Sequence, residues 1–179
     1  MEIVQPIRDK KLIQEIKKFY AKKPRDQFLF TLGINIALRI SDLLELKVKD
    51  LRNKEYINVL ETKNGNKRKQ KLPAPLQKLI NEYTKGMDEN DYLFPSQKGD
   101  KPISRIQAHR ILEKAEKHFN LEEIGTHSLR KTFGYWHYQQ NKDVAILQRL
   151  FGHSAPSITL RYIGIEQDEL DKSTENFFL

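Results

Sequence analysis

The 179-residue chain contains no cysteine. That excludes disulfides, thiolate metal sites and cysteine nucleophiles, and it fits a reducing intracellular compartment. Long apolar runs are missing too: nothing approaches the roughly 20 residues of a membrane-spanning helix. Residues 1–10 carry no signal-peptide core. Acid is scarce relative to base, and the net charge is +8. The imbalance is uneven. After Ile163, Glu166, Asp168, Glu169, Asp171 and Glu175 face one base, Lys172, so this tail carries −4 and the rest of the chain +12. A body this basic points to a polyanion, most simply nucleic acid. With 38% hydrophobic residues the chain is a globular protein and not a disordered one.

What is present is mainly helical patterning. Residues 8–21 place Leu12, Ile13, Ile16, Phe19 and Tyr20 at helical spacing. Residues 26–38 read as an apolar central helix, and Ser41 as the N-cap of the next one. The period changes after Lys47. Residues 56–61 and 67–72 read as two strands joined by a turn at Asn64-Gly65, and residues 48–51 as a third strand. Helices resume over 75–85, over 104–119 with Ser104 as cap, over 128–140, from Asp143 through Leu150, and from Ser157 through Tyr162. Gly152 breaks the chain between the last two. The fold class is therefore α+β, mainly helical, with a small three-stranded antiparallel sheet. We expect one domain over 1–165 and an acidic tail over 166–179.

Four short constellations carry chemistry-bearing residues. Ala37-Leu38-Arg39-Ile40-Ser41-Asp42-Leu43-Leu44 sets an arginine where an apolar helix meets a capped one. Thr62-Lys63-Asn64-Gly65 puts a lysine at the hairpin turn. His127-Ser128-Leu129-Arg130 spaces a histidine and an arginine so that both share one helix face. Leu150-Phe151-Gly152-His153 follows, and Tyr162 stands nine residues past His153. Taken singly, each has an ordinary structural explanation. Arg39 would be a surface cation, the histidines capping or core groups, Tyr162 core packing, and the hairpin lysines a solubilising edge.

Taken together, in this order and spacing, they resemble the tyrosine recombinases, the family of phage integrases. Members carry an arginine in A-L-R-x-S-[DE]-L-x-x-L, a hairpin lysine, H-x-x-R, L-G-H, and a tyrosine nine residues later. The match runs from about Gly33 to Gly164, with Phe151 where the family usually has leucine. The resemblance implies the catalytic-domain fold of that family and a site made of Arg39, Lys63, His127, Arg130, His153 and Tyr162, with no metal and no cofactor. Tyr162 would attack a DNA phosphate, leaving a 3′-phosphotyrosine and a free 5′-hydroxyl. Arg39 and Arg130 would neutralise the non-bridging oxygens. His127 would serve as base or phosphate ligand, His153 as a further donor, and Lys63 as the general acid, with Lys67 and Lys69 as alternatives.

Double-stranded DNA is the expected partner. Lys67, Arg68, Lys69 and Lys71 on the hairpin, Arg105 and Arg110 on the helix after Ser104, and Lys131 are the candidate DNA contacts. The apolar end Phe177-Phe178-Leu179 suggests that the tail docks on a neighbouring subunit, giving dimers or tetramers on DNA, against packing on its own domain. A cytoplasmic, nucleoid-associated location is expected. Some 38 residues precede Arg39, too few for the N-terminal helical clamp that most integrases carry, so DNA affinity is expected to be weak and salt-sensitive. Two alternatives remain: a non-catalytic DNA-binding regulator with the same fold, and a type IB topoisomerase-like enzyme.

Overall fold

The computed structural model describes residues 4–60, 67–97, 99–175 and 177–178. Helix α1 (Lys10–Phe19) starts where the Asp9 carboxylate accepts from the Lys11 amide, and it buries Ile13 and Ile16. Helix α2 (Pro24–Gly33) opens on a proline suited to the first turn, and it is enclosed: Phe28, Leu29, Phe30, Thr31, Leu32 and Gly33 are all buried. Burial of each large apolar side chain here contributes about 1.5–3 kcal/mol, which makes α2 the axis of the main core.

The expected helix over 26–38 ends early. The Asn35 side chain donates to the Thr31 carbonyl. The strand at Lys67–Lys71 then takes over the backbone, with Gln70 Oε1 accepting from the Ala37 amide at 3.0 Å and Gln70 Nε2 donating to the Asn35 carbonyl at 3.3 Å. Residues 34–39 are consequently an irregular arm held by the hairpin. Helix α3 (Ile40–Leu44) begins one residue before Ser41, and Arg39, not Ser41, occupies the N-cap.

The sheet has two strands among the described residues, β1 (Tyr56–Leu60) and β2 (Lys67–Lys71), paired antiparallel with Tyr56 opposite Lys71. The expected third strand over 48–51 is instead a helical turn, α4 (Val48–Leu51). The Asp50 carboxylate accepts from the Lys47 amide at 2.8 Å, which satisfies a first-turn donor, and Val48 and Leu51 turn together into the core.

Helices α5 (Ala74–Tyr83) and α6 (Arg105–Phe119) complete the first half of the core, α6 with the expected Ser104 cap. The last third is α7 (Thr126–Asn141), α8 (Val144–Phe151), α9 (Pro156–Tyr162) and α10 (Ile165–Glu175). Asp143 caps α8 as expected, and Gly152 closes it in the left-handed conformation, where glycine carries no Cβ penalty. Helix α9 starts at Pro156, so Ala155 and not Ser157 is its cap. Leu147, Phe151, Ile163, Ile165 and Ala37 form a second, smaller cluster beneath this corner. No helix among the described residues is long and apolar enough to cross a membrane.

Candidate active site

The smaller cluster is the floor on which the sequence-predicted residues meet. Helix α7 supplies His127 and Arg130 one turn apart. The Arg130 side chain runs inward, only 4% exposed. Its Nη2 donates to the Phe151 carbonyl at 2.9 Å, and its guanidinium carbon lies 4.6 Å from the centre of the Phe151 ring. The last residue of α8 therefore holds Arg130 by backbone and by ring. Gly134, one turn further along α7, makes this approach possible: a Cβ there would stand 2.7 Å from Phe151 Cζ and 2.6 Å from Ile163 Cγ2.

Gly152 turns the chain so that His153 and α9 fold back over Phe151. The rings of Phe151, His153 and Tyr162 pack edge-on and tilted, with Tyr162 5.2 Å from His153 and 5.4 Å from Phe151 between centroids. His153 Nδ1 lies 3.0 Å from the Thr159 hydroxyl oxygen. Thr159 is fully buried and sits one turn before Tyr162 on α9.

Electrostatics ties Arg39 to the group. Burial raises the Tyr162 phenol above its usual range, while Arg130 and Arg39 pull it down. Burial, then Lys131, Arg130 and Arg39, holds His127 below the usual histidine value of 6.5. The phenol and the imidazole thus share the field of the same two arginines. Such a pocket favours a neutral histidine, able to accept a proton, and stabilises negative charge wherever it develops between the arginines.

Five of the six expected catalytic residues, Arg39, His127, Arg130, His153 and Tyr162, come together here. Lys63 lies outside the described residues. The backbone of the candidate contacts Lys67 and Arg68 lies on β2. Lys69 and Lys71 are exposed on the same strand, and the Lys69 ammonium rests 4.2 Å from the centre of the Tyr56 ring. Arg105 and Arg110 are exposed on α6, away from the α7–α9 corner in sequence. Lys131 turns toward the N-terminal segment and donates to the Val4 carbonyl.

Sequence reasoning passed over three residues. Thr159 touches His153, and its signal was a threonine one helical turn before the tyrosine. Asp42 stood inside the arginine motif with no role given to it, yet the residue is 7% exposed, one turn past Arg39. A buried carboxylate costs several kcal/mol unless it is paired; in the sequence the available clue was an acid one turn after an arginine. Gln70, which holds the arm leading to Arg39, had no local signal. Among the described residues, no group of three or more His, Asp or Glu side chains is arranged to hold a metal ion.

The phage integrase family model matches residues 8–169. The probable integrase/recombinase YoeC of Bacillus subtilis (strain 168) is 57% identical over 169 residues, covering 94% of this chain and 93% of that protein. The tyrosine recombinase XerA of Pyrococcus furiosus is 30% identical over 170 residues, covering 93% of this chain. This chain spans only 58% of that archaeal relative. Among solved structures, the XerH site-specific recombinase in a post-cleavage complex with its palindromic difH substrate matches with a TM-score of 0.74 at 20% identity, over 97% of this chain and 54% of that one. That likeness is one of fold. With the family model matching most of its length, and the Bacillus relative identical at more than half of the aligned positions, the chain belongs to the phage integrase family, the tyrosine-type enzymes that break and rejoin DNA.

Proposed function

We propose that this chain recombines double-stranded DNA at a specific site by a metal-free route through Tyr162. The observation that carries the reading is a buried tyrosine packed against His153, its phenol raised by burial and drawn back down by Arg130 and Arg39, the same two arginines that act on His127. In the cleavage step the Tyr162 oxygen attacks a backbone phosphorus. The bond to the 5′-oxygen breaks, leaving a 3′-phosphotyrosine and a 5′-hydroxyl. The phenol proton goes to the neutral His127 imidazole, and the leaving oxygen takes a proton from Lys63. Arg39 and Arg130 hold the two non-bridging oxygens, and His153 donates a further hydrogen bond. Because the new ester keeps the phosphodiester energy, the reverse step with the hydroxyl of a partner strand needs no nucleotide cofactor and exchanges strands through a Holliday junction.

The DNA backbone would run past Lys67, Arg68, Lys69 and Lys71 on the hairpin and past Arg105 and Arg110. DNA as partner is supported by the XerH complex. Cytoplasmic, nucleoid-associated action follows from that partner. Self-association on DNA is assigned to residues 166–179: Phe177 and Phe178 are 70% and 95% exposed at the end of the acidic α10, which suits docking on a second copy. Removal of residues 174–179 should change the stoichiometry or cooperativity of shifted complexes, and unchanged values would reject the tail assignment.

The recombinase reading is tested by covalent trapping on nicked suicide DNA from the chain's own genomic neighbourhood. A denaturation-resistant adduct, absent in Tyr162→Phe, is expected. Clear binding without any adduct would favour the non-catalytic regulator. Relaxation of supercoiled plasmid without a defined site would favour the topoisomerase-like enzyme.

A further inference from the structure

Lys131 follows Arg130 on α7, and its ammonium lies 5.3 Å from the centre of the Tyr162 ring. The same nitrogen donates at 2.6 Å to the Val4 carbonyl. That carbonyl is itself fixed. The Gln5 amide donates to the Glu123 carbonyl at 2.9 Å, and the Ile7 amide to Thr132 Oγ1 at 2.8 Å. The Trp136 indole donates to the Ile7 carbonyl at 2.9 Å. The segment before α1 is thus strapped along α7 on either side of the lysine. Gly125 admits it, because a Cβ there would stand 2.9 Å from Val4 Cγ1.

We propose that Lys131 is a positioning residue for the nucleophile, a cation pinned by the N-terminal strap over the Tyr162 ring that favours the phenolate over the phenol. The inference rests on the recombinase reading for its catalytic meaning. A cation beside an aromatic face is attracted by the ring quadrupole, and the attraction grows once the ring carries an oxyanion. Arg39 and Arg130 also lower the cost of that oxyanion. In the reaction, however, both engage the scissile phosphate, whose negative charge offsets much of their help to Tyr162. Lys131 is bound to a neutral carbonyl, so its charge stays available to the phenol.

The other charged and titratable groups around it come from every neighbouring element: His127 and Arg130 on α7, Arg39 before α3, His153 before α9, Arg8 on the strap, and Glu123 before α7. Burial and then Arg8 pull the Lys131 ammonium below the ordinary lysine range, while Glu123 opposes them. Carbonyl donation to Val4 favours the charged form.

The test uses the full chain, first without DNA. With ring-labelled tyrosine, NMR titration should show Lys131→Met moving the Tyr162 ionisation about tenfold toward the phenol, while Lys131→Arg stays close to the parent. On suicide DNA at saturating concentration, where a loss of affinity does not enter the rate, Lys131→Met should cleave about tenfold more slowly near neutral pH and recover as pH rises, with a melting temperature close to the parent. An unshifted Tyr162 titration in Lys131→Met overturns the proposal, as does a rate loss of equal size at every pH. A shifted titration in a parent protein that forms no adduct would reject the recombinase reading but support the coupling of Lys131 to Tyr162.

Discussion

His153 and Thr159 fix one another across the turn between α8 and α9, with Nδ1 and Oγ1 3.0 Å apart. If the hydroxyl donates, the imidazole proton sits on Nε2, the tautomer that can donate to a phosphate oxygen. Because Thr159 is one turn before Tyr162 on α9, the contact also sets where the nucleophile stands relative to His153. Thr159→Val keeps the shape and removes the hydroxyl. It should lower the cleavage rate by up to about 10²-fold, the lower end of a typical acid–base contribution, with DNA affinity nearly unchanged, and Thr159→Ser should restore most of the rate. Equal rates in the valine and serine variants would mean that the hydroxyl does not orient His153.

Gly134 places a different demand on the same corner. Its missing Cβ is what lets Phe151 and Ile163 lie against α7, with 2.6–2.8 Å available where a methyl would go. Gly134→Ala should therefore cost about 1–3 kcal/mol through overpacking, although alanine is the better helix former. The displaced Phe151 carries the carbonyl that holds Arg130, so adduct formation should fall further than the loss of folded protein explains. Thermal melting and single-turnover cleavage on one preparation check both parts. A variant with raised melting temperature and normal cleavage would show that α8 relaxes without moving Arg130.

How legible the site was depends on how far along the chain each determinant lies. His127 and Arg130 were readable because three residues on a helix fix a shared face, and the nine-residue step from His153 to Tyr162 spans a single turn and helix. The helix at Val48–Leu51 was misread as a strand because Val48-Lys49-Asp50-Leu51 is too short to show a period, and the deciding feature was the Asp50 carboxylate on the Lys47 amide. The arm carrying Arg39 is held by Gln70, and Lys131 is held by Val4. Those pairs are separated by tens to more than a hundred residues, and local patterns do not encode them. The mainly helical class was clear throughout, since the amphipathic repeats of α1, α6 and α8 are local.

The two arginines should not tolerate lysine. Arg130 stacks on the Phe151 ring and donates Nη2 to the Phe151 carbonyl, an arrangement that needs a planar guanidinium and that an ammonium does not reproduce. Arg39→Lys and Arg130→Lys should each reduce cleavage by about 10²–10³-fold, the range for loss of one oriented donor to a developing oxyanion. Binding to uncleaved DNA, measured in a Tyr162→Phe background, should change far less. Rate losses matched by equal affinity losses would assign these arginines to ground-state DNA binding.

The general acid can be assigned by chemistry at the leaving oxygen. Lys63 is expected to protonate the 5′-oxygen, with Lys67 and Lys69 as alternatives. Lys69 rests on the Tyr56 ring, which draws it from the turn. Lys63→Ala should slow cleavage by about 10²–10⁴-fold, and replacing the bridging 5′-oxygen with sulfur should restore it, because a thiolate leaves without a proton. Restoration in Lys67→Ala in place of Lys63→Ala would move the assignment along the strand.

His127 gives the reaction a pH signature with a definite sign. Its folded-state pKa lies below 6.5, through burial first and then Lys131, Arg130 and Arg39. The neutral, proton-accepting form therefore persists into more acidic solution than for an ordinary histidine. Protonation opposes folding in the same window: the stability that the depressed value implies is present above pH 6.5 and is lost as pH falls through the folded pKa. At sub-saturating DNA, where the profile reports the free enzyme, cleavage should hold through pH 6.5 and decline only below it. Bound phosphate adds negative charge beside the ring and stabilises the imidazolium, so at saturating DNA the acid limb should move upward. His127→Gln should remove the limb and leave a slow, nearly flat rate. A limb that stays in place in that variant would belong to another group, and His127 would then be a phosphate ligand and not the base.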